Sequence, residues 1–195
     1  MILFHGSNQS FDKFSQSKAR LLNDYYGGGV AYFTNDPKVA QTYAVSMVRK
    51  YGGDRYIYNV DLRFKKMFDV DEKFTGKELS KFFTGRSEIE AFARGASLLS
   101  YNSDKYAVMG ALELGHMTLT GEQVFKGLSR GMNQTAAARS VLVKLGYDTL
   151  RYNGGSNMGA AKHNVYITYK PDNVLIKQKH IMNKEGEVIP PFKGF

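Results

Sequence analysis

The chain of 195 residues contains no cysteine. That absence excludes disulfides, thiol nucleophiles and cysteine-built zinc sites together, and it suits a reducing compartment. The four histidines stand far apart in sequence, so spacing gives metal ligation no local support. No apolar run approaches the ~20 residues that a membrane-spanning helix needs. The opening Met1-Ile2-Leu3-Phe4-His5-Gly6 lacks the basic start and the long apolar stretch of a secretory signal. A cytoplasmic location is expected, in the protein's own cell or in a host cell to which it is delivered. Missing too are the P-loop, the dinucleotide GxGxxG, HExxH and GxSxG, and with them the commonest routes to nucleotide, zinc and serine chemistry.

What is present is enough for a folded core. Hydrophobic residues make up 43% and charged residues 23% of the chain, both ordinary for a globular protein, and no covalent staple is needed. The length suits one domain, or one domain with a small appendage; the expected division is a domain over 1–180 and a tail over 181–195. The net charge of +9 points to an anionic partner or to a surface kept soluble by charge, and the lysines and arginines form no run that would decide between them. No repeat, low-complexity stretch or linker is evident.

Local patterns give a coarse element map. Residues 1–5 read as an apolar strand ending at His5, and 7–29 as a polar, glycine-rich loop. Gly27-Gly28-Gly29 opens a strand from Val30 to Thr34. Asp36-Pro37 is a helix start, with Asp36 as N-cap and Pro37 in the first turn, and Val39, Ala40, Tyr43, Ala44 and Met47 repeat at helical spacing behind it. Residues 56–62 read as the next strand. Thr120-Gly121-Glu122-Gln123 has the form of a capping box ahead of Val124, Phe125 and Leu128. A helix begins at Thr135, and Gly146 is its natural stop. Strands at 165–169 and 174–179, turning through Pro171-Asp172-Asn173, close the chain. Strands at both ends of a helical middle mean α+β.

Taken singly, the candidate residues have bland readings. A lone histidine at a strand end is more often structural than functional, and tyrosines on a helix are more often core. Glu88-Ile89-Glu90 leads into an apolar helical pattern, so a solvated helix face is the better reading. Glu122 falls in a first helical turn, where an acid complements the helix dipole.

Taken in order, several runs resemble ADP-ribosyltransferases of the diphtheria-toxin and poly(ADP-ribose) polymerase type. Leu3-Phe4-His5-Gly6-Ser7 resembles their first strand, which carries His-Gly. Gly29-Val30-Ala31-Tyr32-Phe33-Thr34 resembles their second motif, a glycine before a strand that holds a tyrosine. Asp36 to Ala44 is similar to the following helix, with Tyr43 at the second tyrosine. Further on, 121–128, 136–145 and Gly146-Tyr147-Asp148-Thr149-Leu150-Arg151-Tyr152 with Gly154-Gly155 resemble the ADP-ribosyltransferase domains of phage and mobile-element polyvalent proteins.

The resemblance implies a split two-sheet β core with flanking helices, NAD as co-substrate, and mono-ADP-ribosyl transfer to a macromolecule, a protein rather than a nucleic acid. NAD glycohydrolysis, or an inactive module that binds NAD, ADP-ribose or an anion, are the alternatives. His5 takes the family histidine's role of hydrogen-bonding the dinucleotide. Tyr32 and Tyr43 would stack on nicotinamide, with orientation as their contribution. Gly6, having no Cβ, would let its backbone approach the carboxamide. Ser7 and Arg20 are candidates for the ribose and pyrophosphate. The family's late-strand glutamate has no counterpart here: pattern matching puts Val165 in its slot, and a shift of one residue puts Asn164 there, as in polyvalent-protein domains. Asn164 is the expected third catalytic residue beside His5 and Tyr32, with Glu122 as a distant substitute. An asparagine can hold a ribose hydroxyl but cannot act as a base.

Overall fold

The computed structural model describes residues 1–15, 26, 31–97, 104–131, 135–155, 162–183 and 187–189. The chain forms two compact units. The first unit holds Met1–Arg20, Gly29–Phe64 and Arg151–Phe195, and the second holds Leu21–Gly28 and Lys65–Leu150. Each collects its core from segments that are not contiguous, which local periodicity cannot reveal.

In the first unit, β1 (Ile2–Ser7) pairs antiparallel with β3 (Arg55–Leu62) from Ile2↔Asp61 to Ser7↔Tyr56. On its other edge β1 meets β2 (Ala31–Thr34) at a single register pair, Phe4↔Thr34. β2 then pairs with β8 (His163–Thr168) along its whole length, and β3 with β9 (Val174–Met182). β10 (Val188–Ile189) folds back on Ile181 and Met182. The order in this unit is β10-β9-β3-β1-β2-β8-β7, with β7 spanning Thr149–Gly154. The strands of this unit form one ladder, pinched at β1/β2. Ile181 and Met182 belong to β9, and Val188 and Ile189 add a further strand.

Helix α1 (Pro37–Tyr51) covers one face of this sheet. Asp36 Oδ1 accepts the Lys38 amide at 2.9 Å, as an N-cap should, and Gly52 ends the helix with φ 72°. Its buried Ala40 and Ala44 pack on Phe4, Ile57 and Met182. Side chains alternate along a strand, so Phe4 and Gly6 face α1 while Leu3, His5 and Ser7 face away. A Cβ on Gly6 would lie 1.9 Å from the Ala40 carbonyl oxygen and 2.8 Å from the Ala44 amide nitrogen. Helix α1 therefore sits directly on the backbone of β1, and the glycine is required by that approach.

The second unit contains β4 (Met67–Asp69), the ribbon of β5 (Lys73–Thr75) with β6 (Thr118–Thr120), the short α2 (Gly76–Leu79), and α3 (Arg86–Ser97), α4 (Lys105–Glu113), α5 (Gly121–Gly131) and α6 (Thr135–Lys144). The capping box is present: the Thr120 amide donates to Gln123 Oε1 at 2.9 Å and the Gln123 amide to Thr120 Oγ1 at 3.3 Å. Val124, Phe125 and Leu128 are buried behind it. Helix α6 stops in a Schellman arrangement, with the Tyr147 amide on the Leu142 carbonyl, the Gly146 amide on Val143, and Gly146 at φ 85°. Helices α3 and α5 cross through small residues, since a Cβ on Gly95 would lie 2.0 Å from the Gly127 carbonyl oxygen. Asp148 is buried, and its carboxylate accepts the Lys65 amide at 3.0 Å and the Lys66 amide at 3.3 Å. This motif aspartate holds a loop.

Replacing Gly6 by Ala forces a methyl group into the backbone of α1, with no flexible side chain able to yield. Overpacking of this kind costs about 1–3 kcal/mol, and the upper end is expected in urea unfolding of Gly6→Ala. An unchanged midpoint would refute the seating of α1 on β1.

Candidate functional site

The pinch between β1 and β2 organises the candidate residues. After Phe4↔Thr34 the two strands part, and the carbonyl of Tyr32 needs another donor. His5 supplies it: Nδ1 lies 2.8 Å from Tyr32 O. A carbonyl only accepts, so Nδ1 carries the proton and Nε2 is left as an acceptor. His5 as a whole residue is half-buried. Its ring packs among Phe14 at 5.1 Å, Phe33 at 5.7 Å, Tyr58 at 6.1 Å and Phe11 at 6.2 Å between centroids. Burial in this aromatic box lowers its pKa to about 4, so the ring is neutral at physiological pH.

The box has its own fastening. Phe11 stacks on Tyr58 at 4.2 Å, while the Phe11 amide donates to Tyr58 Oη at 2.8 Å and Tyr58 Oη donates to Gln9 O at 3.0 Å. Burial pushes the Tyr58 phenol up to about 12. These aromatics were not singled out in the sequence. The available signal was Phe11 and Phe14, two large apolar residues in a loop otherwise read as polar.

Tyr32 is brought to His5 through its backbone, while its ring takes the other direction. Phe33 faces His5, so by alternation Tyr32 shares the α1 face with Thr34, Phe4 and Gly6. Its hydroxyl is buried without a hydrogen-bond partner among the described residues. Tyr43 lies on α1 and is 43% exposed. The tyrosines and Gly6 therefore belong to the α1 side of the sheet, and His5 to the opposite side. Ser7 also lies on the His5 side, buried, with Oγ accepting the Gln9 amide at 3.1 Å. Arg20 and Gly27–Gly29 lie outside the described residues.

The third position divides the same way. Val165 pairs with Thr34 and Ile167 with Tyr32, so Val165 shares the Tyr32 face. It is 4% exposed, and its Cγ2 would lie 2.8 Å from a Cβ added at Gly154. Asn164 faces the His5 side and is half-buried. Its backbone is held by Asn35, whose Oδ1 accepts the Asn164 amide at 2.9 Å while the Asn35 amide donates to Asn164 O at 3.4 Å. Its side chain stays on the same sheet face as His5, two strands away.

Glu122 belongs to the second unit, where it pairs with Lys126 at 2.8 Å and helps to raise the pKa of Tyr26. Glu88 caps its own helix, with Oε2 accepting the Thr84 amide at 2.7 Å, and Glu90 meets Arg86 at 3.3 Å on an exposed face. Both acids of that run serve helix α3. Among the described residues no group of three or more His, Asp or Glu side chains is placed to hold a metal ion, and no helix is long and apolar enough to cross a membrane.

No protein-family model, curated protein or solved structure matches this chain.

The neutral state of His5 gives a pH signature. Its folded pKa of about 4 lies below the ordinary 6.5, so the unfolded chain takes up the proton first. The stability contribution is intact above the ordinary value and is lost as pH falls from there to the folded one, at up to about 1.36 kcal/mol per pH unit. Urea unfolding of the wild type and of His5→Gln across this window should show a shallower loss in the variant. Parallel curves would show that the histidine is not held neutral.

Proposed function

We propose that the chain transfers ADP-ribose from NAD to a macromolecular acceptor, a protein rather than a nucleic acid, in a cytoplasm that is its own cell's or a host's. The observation that carries this reading is the His5–Tyr32 clasp at the β1/β2 pinch. A neutral imidazole fixed in one tautomer offers Nε2 as an acceptor for a ribose hydroxyl. The ordered motif resemblance adds the two tyrosines. Tyr32 brings a buried hydroxyl with hydrogen-bonding capacity to spare, as a ligand-contacting tyrosine would.

In this reading the dinucleotide lies where β1 and β2 part, beyond the His5–Tyr32 bond that bridges them. Its ribose lies on the His5 side, and its nicotinamide on the α1 side between Tyr32 and Tyr43. The bond from ribose C1′ to the nicotinamide nitrogen breaks with its electron pair leaving on neutral nicotinamide. The acceptor's lone pair closes on C1′, and the acceptor's proton passes to solvent. Aromatic stacking favours the cationic pyridinium of the ground state, so the tyrosines contribute orientation and not charge relief. Asn164 supplies a hydrogen bond from the His5 side and no charge. A preorganised charge is commonly the largest catalytic contribution. Hydrolysis by water should therefore be slow, and transfer depends on an acceptor that completes the site. The missing carboxylate also favours a second reading, a module that binds NAD or ADP-ribose without turnover.

Incubation with labelled NAD and a cell lysate separates the readings. Label on a macromolecule is the expected result; released ADP-ribose alone indicates a glycohydrolase. Absence of both, with binding retained in calorimetry, indicates the binding module. Tyr32→Ala and Tyr43→Ala should each weaken NAD binding by about 1–3 kcal/mol, as for bases stacked on aromatics. Unchanged affinity in both folded variants would dismiss the cleft.

The sheet faces predict the outcome of restoring an acid. Asn164→Glu places a carboxylate on the His5 side and should raise NAD hydrolysis, by up to ~10²-fold given what one preorganised electrostatic group contributes. Val165→Glu buries an unpaired carboxylate in packed surroundings and should cost several kcal/mol of stability with no gain in rate. A rate gain from Val165→Glu alone would reverse the assignment of the third position.

A further inference from the structure

The chain's positive charge is unevenly divided. Of its 27 Lys and Arg and 18 Asp and Glu, the first unit holds 15 and 7, and the second holds 12 and 11. Nearly all of the net +9 therefore belongs to the first unit. This imbalance is hidden in the sequence because the unit is assembled from three separate stretches.

Two of these cations, Lys38 and Arg49, stand on one surface. Helix α1 has no acidic residue in its fifteen. Its outer stripe, from Lys38 through Gln41, Thr42 and Ser46 to Arg49, lines a shallow groove to which Val45 and Met182 add apolar contact. Lys38 and Arg49 are exposed, and neither forms an ion pair among the described residues. They stand eleven residues apart on the helix, roughly 16 Å at 1.5 Å per residue. Between them Gln41 and Ser46 supply neutral hydrogen-bonding groups. The Thr42 hydroxyl donates to Lys38 O at 3.0 Å and is already used.

Arg and Lys flanking Gln and Ser, with no acid among them, is the donor set that contacts phosphate oxygens along a nucleic-acid backbone. No aromatic side chain lines the groove, so the stacking platform that single strands use is not part of it. We propose that the outer face of α1 docks the phosphate backbone of a duplex nucleic acid, without reading its sequence. A regularly repeated anion suits two cations that form no ion pair among the described residues and stand at the two ends of one groove, within a unit that is positive as a whole. Docking of this kind needs neither NAD nor an intact His5–Tyr32 clasp. It names a binding partner and not the ADP-ribose acceptor.

The test is fluorescence anisotropy with a mixed-sequence 20-base-pair DNA duplex and no NAD. Binding should weaken steeply with salt, because each neutralised phosphate contributes about −0.9 to the slope of log K against log salt. The double variant Lys38→Gln/Arg49→Gln should bind at least ten-fold more weakly and have a slope shallower by about 2, two phosphate contacts having been removed. Lys73→Gln/Lys77→Gln makes the same charge change on exposed residues of the second unit and should leave affinity near wild type. Circular dichroism and melting would confirm that both variants are folded. No duplex binding at 50 mM salt would overturn the proposal. So would equal weakening by both pairs, which would indicate diffuse charge. Tighter binding of a single strand of the same length, or of poly-glutamate, would overturn it in favour of another anion. An NAD assay that fails while duplex binding persists leaves this surface standing, and the converse isolates the cleft.

Discussion

The hydrogen bond from His5 Nδ1 to the carbonyl of Tyr32 holds the candidate site to its sheet, and much else depends on it. Where two strands part, each exposes backbone groups that the ladder no longer satisfies, and a buried one costs about 1–3 kcal/mol if left unpaired. Here the imidazole takes over from the ladder one residue beyond the last β1–β2 pair. The side chain that closes the gap is thereby fixed in orientation and tautomer. Its neutrality follows from the rings around it, which exclude water without offering a charge partner. Structure and candidate chemistry are not competing explanations for His5. The bond that makes it structural is the bond that would make it a defined acceptor.

The sheet then sorts the remaining candidates by face. Gly6 is occupied by helix α1, whose backbone lies too close for any side chain. That contact seats the helix bearing Tyr43 on the same side as Tyr32. Asn164 and Val165 are neighbours in sequence but face opposite ways, because alternation along a strand has a period of two. Val165 is committed to packing. Asn164 keeps a side chain on the His5 side while its backbone is fastened to Asn35. In the proposed NAD reading the shortfall is electrostatic: Asn164 offers an amide and no fixed negative charge, and His5, two strands away, is neutral at physiological pH. In that reading the chemistry leans on whatever the acceptor brings.

The local grammar of the chain was legible in advance. Asp36-Pro37 capped a helix, Thr120 and Gln123 formed their reciprocal pair, Gly146 ended α6, and Pro171-Asp172-Asn173 turned between strands. Each depends on bonds among residues a few positions apart, so a short window contains the whole cause. Glu88 and Glu90 fell on a helix for the same reason. The short ribbon of β5 and β6 was not legible, since its strands lie tens of residues apart and are too brief to carry a period, and β7 was not recognised as a strand.

The sequence by itself determined the α+β character, the positions of the caps and stops, and the absence of thiol chemistry. It also brought forward His5, Tyr32, Tyr43 and Asn164 as the residues to examine. Only the tertiary structure decided that Ile181, Met182, Val188 and Ile189 take part in the sheet, that the chain has two compact units, and that nearly all the excess charge sits in one of them. It alone showed that Phe11, Phe14, Phe33 and Tyr58 enclose His5, and that Gly6 answers to α1. The physical reason is common to these cases. Burial, hydrogen-bond partnership and the face a side chain occupies are properties of pairs of segments, and the pairs that matter here are separated by 27 residues at His5–Tyr32 and by 129 at Asn35–Asn164.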